Sequence, residues 1–270
     1  MKVKEVISVI EDFAPLSIQE SWDNSGLVIG SPEQEVHGVL LGFDCTADLV
    51  DEAVERGADM IVTHHPLIFG GIKKISPEDP VGLAVLKAAA AGIAVYAAHT
   101  TADKVLGGVS GAMARRLGLQ DIHVLEEEPG GYGLGAVGNL PEPMDAAHRQ
   151  PVEPMDGVGF IEYVKSRFGL KVARCSHVPE IPVSRVAMCG GSGGSLIESA
   201  RKAGAQAYLC GDISYHHFFT TKDFMVIDIG HFEGEVEIVE ILFSLLRKNF
   251  PNFAVYTSVR LETSNPVYYY

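Results

Sequence analysis

The chain carries ten histidines, and six of them fall at one kind of place. His64, His65, His99, His216, His217 and His231 stand at or just past the C-terminal ends of segments that read as strands. In open α/β sheets that edge is where ligands bind, and histidines kept for packing have no reason to gather there. Carboxylates accompany two of them: Asp103 follows His99 by four residues, and Glu235 follows His231 by four. A spacing of four puts two side chains on one face of a helix, so His231 and Glu235 can bind one metal ion together. Imidazole plus carboxylate is the donor set of zinc, iron, manganese, nickel or cobalt. Each signal has a plain structural alternative. Neighbouring side chains on a strand point to opposite faces, so His64 and His65 can serve one ion only if the chain turns there, as the following Pro66 permits. An HxxxE pair on a helix is often only a solvated ion pair. The joint pattern is what favours metal. His37, His123, His148 and His177 read as turn or surface residues without a role.

Three other features bear on chemistry. GGSGG, at 190–194, lies between a strand-like and a helix-like segment. That order either turns backbone N–H groups toward a phosphate or makes a tight strand-to-helix turn, and it lacks the Walker lysine and the GxGxxG spacing. Ser192 and Ser195 sit in no GxSxG elbow. Trp22, the single tryptophan, reads as a packing anchor rather than a substrate platform. Asp44 ends a strand and suits either of two roles, orienting a ligating histidine or capping a turn.

The elements that must position these residues alternate along the chain. Val6, Ile7, Ile10 and Phe13 predict a helix over 3–13, closed by Pro15. Apolar runs predict strands at 38–44, 60–63 and 93–98. Between them lie helices at 47–56, capped by Thr46 and stopped by Gly57, and at 80–91, stopped by Gly92. A helix over 107–117 follows. Residues 129–157 are rich in Pro and Gly, strand-like over 131–140 and loop-like over 141–156, and mark a boundary or insertion. Beyond them the pattern predicts helices at 159–168, 195–203 and 233–247, and strands at 183–189, 206–210, 225–229 and 253–259. This is an α/β fold with largely parallel sheets. ERGADMIVTHH and RKAGAQAYLCGD echo each other as helix end, turn and strand, so the expected organisation is two related lobes, 1–125 and 126–270, the last strand returning to the first.

Composition narrows the function. The net charge of -14 repels phosphate backbones and anionic lipids, which disfavours nucleic-acid and membrane-surface partners. The N-terminal apolar stretch stops at Glu11 and Asp12, too short for a signal-peptide core. Residues 83–98 fall short of the roughly 20 apolar residues of a membrane span. Cys45, Cys175, Cys189 and Cys210 are scattered without a CxxC, as expected of buried free thiols in a cytoplasmic protein.

SWDNSGLVIG, GFDCT, DMIVTHHPLIFGGIK, VYAAHTTAD, GGSGGS, YLCGDISYHH and DIGHFEGE occur in that order. Together they resemble the NIF-three-like family, named for a yeast NGG-one-interacting factor. Its bacterial members are often named GTP cyclohydrolase I type II homologues. The resemblance spans nearly the whole chain and is weakest over 129–182. It implies two α/β lobes with a dinuclear metal site in the cleft between them, two divalent ions per chain (zinc, iron or manganese), and a ring-shaped homohexamer built from dimers. By motif, the implied ligands are His64, His65, Asp103, His231 and Glu235. Asp103 and Glu235 suit bridging, because a carboxylate has two oxygens. His99, His216 and His217 belong to motifs that line the same pocket. The family commonly has HTNLD where this chain has HTTAD, and Ser or Thr where it has Gly234; neither departure removes a ligand. The resulting expectation is a metal-dependent hydrolase acting on a nucleotide or another phosphorylated small molecule. His99 or His217 would carry protons near neutral pH. The rivals are a metal carrier or regulatory protein with little turnover, and a nucleotide-binding module whose histidines are structural.

Overall fold

The computed structural model describes residues 1–141 and 155–270. Most of the expected loop over 141–156, with His148, lies outside them. In chain order the elements begin with α1 (Val3–Phe13), β1 (Gly26–Ile29), β2 (Gly38–Gly42), α2 (Ala47–Arg56), β3 (Met60–Thr63), α3 (Pro80–Ala91), β4 (Ala94–Ala97) and the single turn α4 (Thr100–Asp103). Then come α5 (Val109–Arg116), β5 (Gln120–Glu128), β6 (Tyr132–Asn139), α6 (Gly157–Phe168), β7 (Arg174–Cys175), β8 (Arg185–Ser192), α7 (Ile197–Lys202), β9 (Ala207–Gly211) and β10 (Met225–Asp228). The chain closes with α8 (His231–Glu235), α9 (Glu237–Asn249) and β11 (Ala254–Thr257). Two compact units result: Met1–Ala102 with Glu237–Tyr270, and Asp103–Val236. The division falls at Ala102/Asp103 rather than at 125/126, because β5 pairs with β6 and joins the second sheet.

The first unit holds a five-stranded sheet, ordered β1-β4-β3-β2-β11. Four strands are parallel, and β1 is an antiparallel edge on β4. Continuous apolar runs make β2, β3 and β4 buried at every position, as strands covered on both faces require. Leu40, Ile61 and Val95 pack against Leu49, Val50 and Ala53 of α2 and Ala84, Val85 and Ala88 of α3. Each buried Leu, Ile or Val contributes about 1.5–3 kcal/mol. The helix ends follow local chemistry. Thr46 Oγ1 accepts from Leu49 N at 3.2 Å, Asp79 Oδ2 accepts from Gly82 N at 2.8 Å, and Gly57 and Gly92 close α2 and α3 in the left-handed region.

The second unit holds a six-stranded sheet, ordered β5-β6-β8-β9-β10-β7. It departs from the expected parallel sheet. Only β8, β9 and β10 run parallel, while β5, β6 and β7 pair antiparallel. The hairpin β5–β6 needs only a tight connection, which the Gly130-Gly131 pair supplies at positive φ. The internal echo survives as local structure. Gly57 leads into β3 and Gly204 into β9, each a central parallel strand. The segment 233–247 is two helices rather than one, because α8 starts two residues earlier, at His231, and ends before Val236.

All four cysteines are free. Cys45, Cys189 and Cys210 are buried, and Cys175 is only half-buried. Burial pushes the Cys45 and Cys210 thiols up to about 12, too high for a nucleophilic thiolate. Among the described residues no helix is long and apolar enough to cross a membrane.

Candidate metal centre

In the first unit the site grows from the C-terminal ends of three neighbouring strands. Past β3 the chain turns: His64 N and His65 N both donate to Phe43 O, at 3.2 and 3.3 Å, and Thr63 Oγ1 donates to His65 O at 2.8 Å. This is the turn that a shared role for adjacent histidines requires, and it leaves the two ring centroids 4.9 Å apart. His99 follows β4, with its ring 5.4 Å from each of the other two. One ligand nitrogen from each of His64, His65 and His99 lies within 4.8 Å of the others. Small side-chain shifts bring such a group to the roughly 2.1 Å that zinc–imidazole bonds require.

Each ring is held through Nδ1 by an oxygen. His64 Nδ1 donates to Ala98 O at 2.9 Å, His65 Nδ1 to Asp44 Oδ1 at 2.8 Å, and His99 Nδ1 to Asp23 Oδ1 at 2.6 Å. A carbonyl or carboxylate oxygen can only accept, so the proton stays on Nδ1 and the Nε2 lone pair is the ligating one. Of the two roles considered for Asp44, it is placed for the first, orienting His65. Asp23 is the residue that sequence reasoning missed. Its buried carboxylate also accepts from Ser25 Oγ at 2.6 Å, from Thr100 Oγ1 at 2.6 Å and from Thr100 N at 3.1 Å. Burial pushes the Asp23 carboxyl up, but the hydrogen bonds from His99, Ser25 and Thr100 outweigh burial and hold it well below the usual carboxylate range.

The second unit repeats the arrangement. His231 opens α8 and Glu235 ends it, with His231 Nε2 3.0 Å from Glu235 Oε2. His231 Nδ1 donates to Asp212 Oδ2 at 2.7 Å. Asp212, just past β9, has φ 51°, an uncommon conformation for a non-glycine residue. Nothing in the sequence singled it out beyond its place at a strand end. Glu235 is buried, and glycines make room for it. Gly190 and Gly191 belong to β8, so GGSGG is mostly strand rather than a phosphate loop. A Cβ at Gly190 would lie 3.0 Å from Glu235 Cγ, and one at Gly191 would overlap Glu235 Oε1. Burial, with the charges of Asp103, Cys210 and Glu235, pushes the Cys189 thiol well above its ordinary value. Asp103 ends α4, four residues beyond His99. His216 and His217 are exposed on the turn Tyr215–Phe218, where His217 Nδ1 lies 3.3 Å from Ser214 Oγ. They join no candidate metal group among the described residues.

The family model for Duf34/NIF3 (NGG1p interacting factor 3) matches residues 1–266. The chain belongs to this family. It is 34% identical over 273 residues to the GTP cyclohydrolase 1 type 2 homolog of Lactococcus lactis, covering 99% of each chain. To the Clostridium acetobutylicum protein of the same name it is 31% identical over 270 residues, covering 98% of this chain and 97% of that one. The crystal structure of Staphylococcus aureus hypothetical protein SA1388 superposes with a TM-score of 0.89 at 27% identity, covering 100% and 99% of the two chains. A Bacillus cereus protein related to NIF3 has a TM-score of 0.88 at 23% identity, covering 100% and 99%, which shows the shared fold. Both solved structures cover the α/β elements of both units.

Proposed function

We propose that the protein is a dinuclear metal-dependent hydrolase acting on a nucleotide or another phosphorylated small molecule. His64, His65, Asp103, His231 and Glu235 hold the two ions in this reading, with zinc, iron or manganese the first candidates. The observation that carries it is the uniform tethering of four imidazoles. His64, His65, His99 and His231 each give Nδ1–H to an oxygen, which presents Nε2 as a donor. Asp103 and Glu235 add the negative charge that neutral imidazoles lack. Bound divalent ions supply Lewis-acid polarisation of a carbonyl, ring carbon or phosphoryl oxygen and acidify water. The chain itself positions and orients. Asp23, Asp44 and Asp212 fix the imidazole tautomers, and His217, exposed on the turn Tyr215–Phe218, is the candidate proton carrier. His99 is either a fourth imidazole ligand or the second proton carrier, and metal counted in His99→Ala separates the two. The GTP cyclohydrolase name of the relatives supports a nucleotide substrate. A homohexamer belongs to the same proposal and is read by light scattering.

The test is metal content by plasma mass spectrometry on untagged protein, with His65→Ala and Glu235→Ala alongside, followed by hydrolysis of a nucleotide and phosphoester panel. About two ions per parent chain, clear loss in both variants and metal-dependent turnover are expected. No metal after reconstitution with zinc, manganese and iron refutes the centre. Metal without turnover on the whole panel refutes the hydrolase and leaves a carrier or regulatory role.

A further inference from the structure

Trp22 is not the packing anchor its loop suggests: it is 57% exposed, and Phe69, from the loop after β3, is 56% exposed. Their ring centroids are 5.8 Å apart with the planes tilted by 44°, a wedge open to solvent. The floor of the wedge is His99, at 6.0 Å from Trp22 and 5.8 Å from Phe69, edge-on to both. Large exposed aromatics are ordinarily mobile, but these two stand on fixed loops. Asn24 Nδ2 donates to Ile68 O at 2.6 Å and ties one loop to the other. Asp23, next to Trp22, is fastened to His99 and Thr100, and Ser25 N donates to Gln19 Oε1 at 3.2 Å. A rigid pair of exposed aromatic faces beside metal-capable imidazoles is a binding surface rather than a core fragment.

We propose that Trp22 and Phe69 form a stacking subsite for the planar heteroaromatic ring of a nucleobase-type substrate. This rests on the reading of His64, His65 and His99 as part of a metal centre. At a tilt of 44° each aromatic keeps an exposed face on which a flat ring can stack. An inorganic phosphate gains nothing from such faces. Both aromatics pack on His99, so the same loop residue, Asp23, positions both His99 and the Trp22 platform.

The single tryptophan makes the test direct, since all emission excited at 295 nm comes from Trp22. The probes are GTP, guanosine and inorganic triphosphate, added to protein of known metal content. GTP and guanosine are expected to quench the emission saturably, and triphosphate is not. Phe69→Ala is expected to weaken GTP binding about tenfold, the lower part of the range for a lost base–aromatic stack. Trp22→Ala, followed by equilibrium dialysis with labelled GTP, should show a similar loss, and Trp22→Phe should restore part of it. Metal content should stay at the parent value in all three variants. No quenching by GTP or guanosine overturns the subsite, as does unchanged GTP affinity in both alanine variants. So does a shift of either variant to a smaller oligomer without any ligand effect, because the wedge then packs against a second copy. Failure of the metal reading looks different: His65→Ala and the parent both lack metal, while guanosine still quenches Trp22.

Discussion

Replacing Asp23 by Asn keeps the shape of the side chain and removes its charge, and the surrounding hydrogen bonds decide which way the new amide points. Oδ1 accepts from His99 Nδ1 at 2.6 Å and from Asn24 N at 2.7 Å. Oδ2 accepts from Thr100 N at 3.1 Å and from the hydroxyls of Ser25 and Thr100, both at 2.6 Å. An amide has one oxygen, so one of these two groups must face –NH2. Thr100 is buried and its backbone N–H has no access to water, whereas Asn24 N lies in an exposed stretch. The oxygen therefore stays with Thr100 and the –NH2 turns toward His99. His99 must then accept through Nδ1, which moves its proton to Nε2 and removes the lone pair offered to an ion. Turning the amide the other way strands the Thr100 N–H, at about 1–3 kcal/mol. Loss of a partner that orients a ligating histidine typically lowers metal affinity by roughly 10- to 100-fold. Competition with a chelator of known affinity measures that loss, and thermal unfolding should show a fall of about 1–3 kcal/mol from the weakened charge-assisted bonds. Parent-like metal affinity in Asp23→Asn would refute His99 as a metal ligand.

Other perturbations probe separate parts of the molecule. Gly191→Ala places a Cβ on Glu235 Oε1 at a φ of 55°, so it should lower metal content and cost about 1–3 kcal/mol in a urea titration. If both stay at parent values, Glu235 does not need that glycine. Burial raises the Asp59 carboxyl, but the hydrogen bonds from His37, both side chain and backbone, and from Gly38 N outweigh it, so the folded value lies below the ordinary 3.8. A depressed carboxylate contributes stability that is present above pH 3.8 and is lost as pH falls toward its folded value. Asp59→Asn should accordingly lower stability in the neutral region and flatten the acid limb below about pH 5, the parent and variant curves converging as pH falls toward the folded value. Native-state alkylation with iodoacetamide, read by peptide mass spectrometry, should label Cys175 before Cys45, Cys189 and Cys210, which burial keeps protonated and covered. Faster labelling of Cys189 would contradict the packing around Glu235.

Much of the fold was legible because its signals are local. Thr46 and Gly57 mark the ends of α2, Asp79 and Gly92 those of α3, and the buried runs at 38–42, 60–63 and 94–97 announce parallel strands. The misreadings also have local causes. The segment 120–128 is mostly polar and exposed, so β5 carries no buried-strand signature and its antiparallel pairing with β6, strand-like over 131–140, could not be read. The one-turn α8 is too short to show a helical period, so it merged with α9.

By itself the sequence determined which residue types stand at strand ends: six histidines, with Asp103 and Glu235 four positions beyond two of them. A strand's end and a helix's four-residue spacing are set by neighbouring residues, so they can be read from the chain. Only the tertiary structure decided which oxygen holds each imidazole. Asp23 is 76 residues from His99, Ala98 is 34 from His64, Asp44 is 21 from His65, and Asp212 is 19 from His231. Strand order and loop packing bring these partners together, and no local pattern encodes either. The same holds for Trp22. A lone tryptophan in a polar loop has the same sequence whether it is buried or exposed. Its exposure was decided by the bond from Asn24 to Ile68 O and by the fastening of Asp23 beneath it.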